Sequence, residues 1–308
     1  MKSVFTLEDL SKPEILNPTG ELPARLAVLG NPVAHSRSPQ LHQPALDEAE
    51  LNMRYIRLEV PAGELPKAFR LMRENNFVGC NVTVPHKFEA LENCSQLDES
   101  AQLLGTVNTV HFGEDGKTLG FNTDGPGIVR AIRQEFQLDL SDLRILILGA
   151  GGGAGQAIAT QCSAEGCEQL ILVNRSIDKL VTLESKLLPE FQKRHSLVGP
   201  SDRLQILSLD SPSLSEAMSS SDLVIQTTSL GLKPEDPLPI SSRLLEPHHL
   251  IYDTIYQPSI TRFLGAAKER GARTANGLSL LLHQGALSFT HWFPGTQPLE
   301  AMTRAIAS

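Results

Sequence analysis

Short apolar runs alternate with stretches of helical spacing along most of the chain. Residues 25–30 read as a buried strand, 39–49 as a helix, 53–60 as a strand and 64–75 as a helix. Residues 79–84 form a third apolar run, helical stretches continue to Leu104, and two short strand-like segments cover 108–112 and 118–122. Residues 125–136 again have amphipathic helical spacing. A second series opens at Arg144-Ile145-Leu146-Ile147-Leu148, a run suited to a parallel strand buried on both faces. It continues with a helix at 156–165, strands at 169–173, 204–209, 223–226 and 249–253, and a helix at 260–270. Two further helices, 278–289 and 299–306, close the chain and are expected to return to the first series. The Ser-rich stretch 208–221 reads as a loop with a short helix, and no solenoid repeat is visible.

Repeated β-α alternation predicts parallel sheets with helices on both faces. The fold class is therefore α/β, with two α/β domains. The first covers residues 1–124, completed by 275–308, and the second, doubly wound, covers 125–274. The opening stretch to about Pro23 shows no clear period and is expected to extend or wrap the first domain.

Length and composition narrow this picture. The 308 residues exceed a typical domain of about 100–200 residues, which agrees with two cores. Hydrophobic residues at 41% and charged residues at 20% are ordinary globular usage, which excludes collagen, coiled coil and disorder. The net charge of −8 disfavours nucleic acid and anionic membranes as partners, so a phosphate ligand needs a local basic site. No apolar run approaches the roughly 20 residues of a membrane span. Met1 to Asp9 lacks the apolar core of a signal peptide, and Cys80, Cys94, Cys162 and Cys167 form no Cys-x-x-Cys pair. Together these features predict a soluble, cytoplasmic protein with reduced thiols.

The strongest local motif is Gly149-Ala150-Gly151-Gly152-Gly153-Ala154, directly after the 144–148 strand and before a helix. Gly149 suits a tight strand-to-helix turn and Gly151 a close backbone approach to a pyrophosphate, with Ala154 in the third small position. The helix N-terminus then offers free N–H donors to phosphate. The end of the next strand reads Asn174-Arg175-Ser176, then Ile177, Asp178 and Lys179, without the acid that usually bonds a ribose 2′-hydroxyl. Arg175 can fork onto a 2′-phosphate, with Asn174, Ser176 and Lys179 adding donors, which points to NADP.

Four further motifs combine a structural residue with polar groups. In Ser36-Arg37-Ser38-Pro39 the two hydroxyls can converge on a small anion, or Ser38 can simply cap a helix. Asn81-Val82-Thr83-Val84-Pro85-His86-Lys87, Gly105-Thr106-Val107-Asn108-Thr109 and Gly120-Phe121-Asn122-Thr123-Asp124-Gly125 stand at strand ends, where α/β proteins gather function. A Lys and an Asp in proximity can pass a proton between the carbonyl and hydroxyl states of a substrate. Taken separately, Lys87 reads equally as a surface charge and Asp124 as a helix cap. His248 and His249 have no companion ligands at metal spacing, and no metal is expected.

In combination these motifs resemble the shikimate dehydrogenase family over about 25–306, with Thr228-Ser229-Leu230-Gly231, Asp253-Thr254-Ile255-Tyr256-Gln257-Pro258 and Gly277-Leu278 to Gln284 completing the likeness. The resemblance implies a Rossmann-type NADP-binding second domain and reversible NADPH-dependent reduction of 3-dehydroshikimate to shikimate, in a cleft between the domains. It implies that Ser36 and Ser38 bind the substrate carboxylate, that Thr83, Asn108 and Gln284 hold ring hydroxyls with Tyr256 close by, and that Lys87 and Asp124 form the catalytic pair. It also brings Thr228, Ile255 and Gly277 to the cofactor, and leaves the assembly as a monomer or homodimer. Thr106, Gln43, Gln257, Leu232 and Leu280 depart from the residues usual in the family, and none of them is a reacting group. Two alternatives are a quinate/shikimate dehydrogenase, usually NAD-linked, and a non-catalytic ligand sensor on the same two domains. Arg175 and the serine pair weigh against the first, and the retained Lys87 and Asp124 against the second.

Overall fold

The computed structural model describes residues 2–193 and 199–307. The chain divides into two compact units, Met1–Gly127 with Leu281–Ser308, and Ile128–Leu280. It passes from one to the other inside a single helix after Gly127, and back inside another after Leu280.

The first unit opens with β1 (Phe5–Thr6) and two short helices, α1 (Leu7–Leu10) and α2 (Pro13–Leu16). β2 (Ala24–Gly30), α3 (Ser38–Glu48), β3 (Arg54–Glu59), α4 (Leu65–Glu74) and β4 (Gly79–Val82) follow in strict alternation. Then come α5 (Lys87–Asn93), β5 (Gln96–Leu97), α6 (Glu99–Leu104), β6 (Thr109–Phe112), β7 (Thr118–Phe121) and α7 (Asp124–Phe136). The opening stretch adds β1 to the edge of the sheet beside β3, and Phe5, Leu10 and Leu16 bury themselves in the core of this unit.

The seven strands run in the order β1-β3-β2-β4-β6-β7-β5. The expectation of purely parallel sheets fails here, because β6 is antiparallel to both β4 and β7. Only residues 113–117 separate β6 from β7, enough for a hairpin and far too few for a parallel crossover.

The second unit contains β8 (Arg144–Leu148), α8 (Gly153–Glu165), β9 (Gln169–Asn174), α9 (Asp178–Gln192), α10 (Pro200–Arg203) and β10 (Leu204–Ser208). It continues through α11 (Leu214–Ser220), β11 (Leu223–Gln226), β12 (Leu250–Asp253), α12 (Arg262–Glu269) and β13 (Arg273–Asn276). α13 (Leu278–Trp292) and α14 (Leu299–Ala307) complete the chain. The sheet is entirely parallel in the order β10-β9-β8-β11-β12-β13, the doubly wound 3-2-1-4-5-6 arrangement. Ile145 and Ile147 of β8 enter one apolar cluster while Leu146 and Leu148 enter the other. Successive side chains of a strand point to opposite faces, so this unbroken apolar run is what a sheet covered on both sides requires. The sequence reading did not anticipate α9 or β13, although Leu180, Leu183, Leu187 and Phe191 of α9 are buried on one helical stripe. Among the described residues no helix is long and apolar enough to cross a membrane.

Candidate active site

In the first unit four loops meet at one end of the sheet. β2 and β4 are neighbours, but the chain reaches β3 on one side of β2 before crossing to β4 on the other. The loops after β2 and β4 therefore diverge at a switch point, where α/β sheets bind ligands. Because β6 is antiparallel, its first residues lie beside the end of β4, with Asn81 paired to Thr109. β7 in turn ends beside the start of β6, with Thr109 paired to Phe121. The segments carrying Ser36 and Ser38, Thr83 and Lys87, Asn108, and Asp124 thus converge by topology. A direct tie joins the first two: the Asn31 N–H donates to the Val84 carbonyl at 3.0 Å.

Ser36 and Ser38 are buried, and the Ser36 hydroxyl donates to the Ser38 hydroxyl at 3.1 Å. The Arg57 guanidinium on β3 grips the Ser36 carbonyl at 2.8 Å. α3 begins at Ser38 with Arg37 in the capping position and no side-chain cap bond. Helix capping therefore does not account for the Ser38 hydroxyl.

Lys87 stands at the start of α5 and Asp124 at the start of α7, and their ion pair is 2.6 Å long. The side chains are only 12% and 10% exposed, which separates them from ordinary surface charges. Asp124 is not the cap of α7. That work falls to the Asn122 side chain, whose oxygen accepts the Asp124 N–H at 3.0 Å. Thr106, the departure beside Asn108, accepts from the Asn122 amide through its hydroxyl at 2.8 Å and so fixes that cap. The Asn108 amide donates to the other Asp124 oxygen at 2.9 Å, and its nitrogen lies 3.5 Å from the Gln284 side-chain oxygen. Thr83, half-buried in the β4–α5 turn, is held through its backbone N–H on the Leu29 carbonyl.

In the second unit the Gly-rich turn follows β8, again at the switch point of its sheet. Gly149 has φ +85°, a conformation that favours glycine, and a Cβ there would lie 2.6 Å from Thr228. At Gly151 a Cβ would strike Asn174 at 2.8 Å. The close packing assigned to Ala154 belongs instead to its neighbour: a Cβ on Gly155 would sit 2.5 Å from the Gly149 carbonyl oxygen, whereas Ala154 is half-buried. α8 starts at Gly153, three residues before the helix expected at 156–165, with Gly152 as cap, so its first-turn N–H groups border the turn.

Asn174 bonds the Ser176 carbonyl at 2.9 Å, while Arg175, Ser176 and Lys179 are exposed. Among the described residues Arg175 makes no hydrogen bond or ion pair, which leaves its donors available. These features fit a dinucleotide: glycine backbone where the phosphates need close approach, and an unengaged guanidinium beyond the neighbouring strand. Ile255, half-buried Tyr256 and Gly277 follow β12 and β13 in this unit. Gly277 admits no side chain, since a Cβ would meet the Thr254 carbonyl oxygen at 2.0 Å. Asp253 anchors that segment by accepting the Ile255 N–H at 3.0 Å and the Thr261 hydroxyl at 2.7 Å. Burial pushes its carboxyl up to about 6, against these hydrogen bonds.

Among the described residues no cluster of three His, Cys, Asp or Glu groups could hold a metal ion. His249 is bonded instead to the Met218 carbonyl and the Glu246 N–H. The sequence reading assigned no role to Tyr55, Thr123 or Ser288, all buried around the loops of the first unit. Thr123 lies within the 120–125 motif, whereas no motif marks Tyr55 or Ser288.

Residues 28–110 match the model of the shikimate dehydrogenase substrate binding domain, and residues 130–230 that of shikimate / quinate 5-dehydrogenase. Shikimate dehydrogenase (NADP(+)) of Methanopyrus kandleri is 34% identical, over 91% of this chain and 94% of its own. The crystal structure of shikimate dehydrogenase from Aquifex aeolicus superposes with a TM-score of 0.80 at 33% identity, covering 92% of this chain and 98% of that one. The enzyme from Thermus thermophilus, solved in complex with NADP(H) and shikimate, gives 0.76 at 33% identity, covering 92% and 99%. With both halves of the chain matched in order, and likeness over nearly its full length, the chain belongs to the shikimate dehydrogenase family of oxidoreductases.

Proposed function

We propose that the chain catalyses the reversible NADP-dependent interconversion of shikimate and 3-dehydroshikimate, a step toward the aromatic amino acids. The observation that carries this reading is the sequestered Lys87–Asp124 pair with Asn108 on its second carboxylate oxygen. The Ser36 and Ser38 hydroxyls turn their protons to the ring carboxylate. Thr83, Asn108, Gln284 and Tyr256 take ring hydroxyls. As the ketone is reduced, negative charge grows on its oxygen. The Lys87 ammonium stabilises that charge and delivers the proton, and in the reverse direction Lys87 takes it back. Asp124 holds the ammonium in place through the 2.6 Å ion pair. Bound NADPH supplies the hydride. The first-turn N–H groups of α8 receive its pyrophosphate, and Arg175, assisted by Asn174, Ser176 and Lys179, its 2′-phosphate. The four cysteines form no disulfide, which agrees with a reducing cytosol as the place of work.

Absorbance at 340 nm with shikimate and NADP⁺, and in parallel with quinate and NAD⁺, tests the reading directly. Shikimate with NADP⁺ is the expected productive pair. Lys87→Ala is expected to lose about 10²- to 10⁴-fold in turnover, with NADPH binding by fluorescence titration retained. A folded Lys87→Ala protein with near-normal turnover overturns the mechanism.

A further inference from the structure

β3 carries an arginine whose charge the chain leaves unanswered. Side chains two apart on a strand share a face, so Tyr55 and Arg57 project to the same side of β3. The Tyr55 ring stacks on His42 of α3 at 4.5 Å between centroids, so α3 covers this face. Arg57 lies beneath the first turn of that helix. Its Nε donates to the Ser36 carbonyl at 2.8 Å, and a terminal nitrogen donates to the Gln40 side-chain oxygen at 2.9 Å. The two bonds fasten the guanidinium to both ends of the Ser36–Ser38 turn.

Neither partner carries a charge. Lys2 is answered by Asp9 at 2.6 Å, and Arg54, also on β3, by Glu21 at 2.9 Å. Among the described residues Arg57 makes no ion pair, in a chain whose net charge is −8. The first turn of α3 has no acid either, although the N-terminus of a helix is where an acid is favoured. A half-buried cation and the positive end of a helix dipole thus meet at the serine turn, without a protein anion to offset them. Two positive sources in one place disfavour each other, and a single anion stabilises both. The Ser36 and Ser38 hydroxyls at that place are buried and neutral. They can donate to a carboxylate, but hydroxyls alone do not offset the cost of taking its charge out of water.

We propose that Arg57 is the positioning residue of the serine pair and the counter-charge for the acid group that the pair receives. It holds the Ser36 carbonyl in place and makes the site selective for a ring carboxylate over an uncharged ring of the same shape. This rests on the function proposed above, and it supplies the charge that two neutral hydroxyls lack. An Arg57 that serves the fold alone predicts lower stability with unchanged selectivity.

The test removes the charge in two independent ways. Arg57→Met deletes it and Arg57→Lys keeps it. Gln40→Glu leaves Arg57 in place and gives it a carboxylate partner where an amide oxygen stands now. Gln40 is exposed, so the third change leaves the core untouched. kcat, KM for shikimate, KM for NADP⁺ and thermal midpoint are measured for each, together with the inhibition constant of shikimate methyl ester, the uncharged counterpart. Arg57→Met is expected to raise the shikimate KM about 5- to 50-fold. Its kcat, its NADP⁺ KM and its inhibition by the ester are expected to stay nearly unchanged, and Arg57→Lys to keep most of the affinity. Gln40→Glu is expected to raise the shikimate KM about 3- to 10-fold while the thermal midpoint holds or rises. A structural role does not move affinity and stability in opposite directions.

A folded Arg57→Met with wild-type shikimate KM overturns the proposal. So does an equal loss for acid and ester, an ester that binds the wild type as tightly as the acid, or Gln40→Glu with unaltered KM. If Arg57→Met does not fold, Arg57→Lys and Gln40→Glu carry the test. With a wild type active on shikimate, these outcomes remove the role of Arg57 alone. Wild-type protein inactive on shikimate removes the functional reading as well.

Discussion

Arg175 stands at the place where cofactor choice is made. It follows the end of β9, is exposed, and makes no bond among the described residues. Each charge-assisted hydrogen bond to a 2′-phosphate is worth about 1.5–3 kcal/mol. Arg175→Ala is therefore expected to weaken NADP(H) by roughly 10- to 100-fold and to leave NAD(H) nearly unchanged, as read by fluorescence titration with both cofactors. Equal losses for the two would show that Arg175 does not read the phosphate. Arg175 was readable because the sequence places it after a recognisable strand, and Lys87, Asn108 and Asp124 were readable because Gly or Pro brackets each turn. Tyr55 and Ser288 offered no such signal. One is an aromatic residue in a strand and the other a hydroxyl in an apolar helix, both ordinary packing choices. Their meaning arises only where Asn81 meets Ser288, 207 positions away along the chain.

At the scale of elements, alternation along the chain located β8 and its turn, yet the spacing of small residues pointed to Ala154 for the tight contact between α8 and the turn. Backbone geometry decides for Gly155, because its Cα faces the Gly149 carbonyl. Neither partner in that contact is a flexible side chain, so a methyl group there must move α8 itself. Gly155→Ala is expected to destabilise the protein by about 1–3 kcal/mol and to weaken NADPH binding with it, by thermal melting and titration. Gly152→Ala provides the control, since its Cβ would approach nothing closer than 3.6 Å. Wild-type stability and NADPH affinity in Gly155→Ala would contradict the close approach. The antiparallel β6 was beyond the reach of periodicity, which is the same for either strand direction. The length of the 113–117 connection was the available clue. The stripe of α9 was present in the sequence and went unread.

At the scale of the molecule, the first unit is assembled from both ends of the chain, whereas the second is a continuous segment. Both apolar clusters of the second unit draw only on residues between Ile128 and Leu280. The first unit, by contrast, depends on its returning segment. The Trp292 indole donates to the Val110 carbonyl of β6 at 2.9 Å, the Ser288 hydroxyl accepts from the Asn81 amide, and Arg304 of α14 pairs with Glu48 of α3. Ending the chain at Leu280 removes all three, and leaves Gly79 facing a void where the indole had packed against it. Loss of a large buried aromatic alone costs about 3–5 kcal/mol, comparable to the net stability of many domains. The truncated chain is expected to lose shikimate oxidation altogether while still binding NADPH, and limited proteolysis is expected to spare a fragment near 128–280. Trp292 is the single tryptophan of the protein, so in the full-length chain its emission reports the first unit alone. In denaturant its transition is expected to move with Ser288→Ala and to stay in place with Gly155→Ala, provided the two units unfold independently. A truncated chain that has lost NADPH binding would show instead that the second unit needs the first to fold.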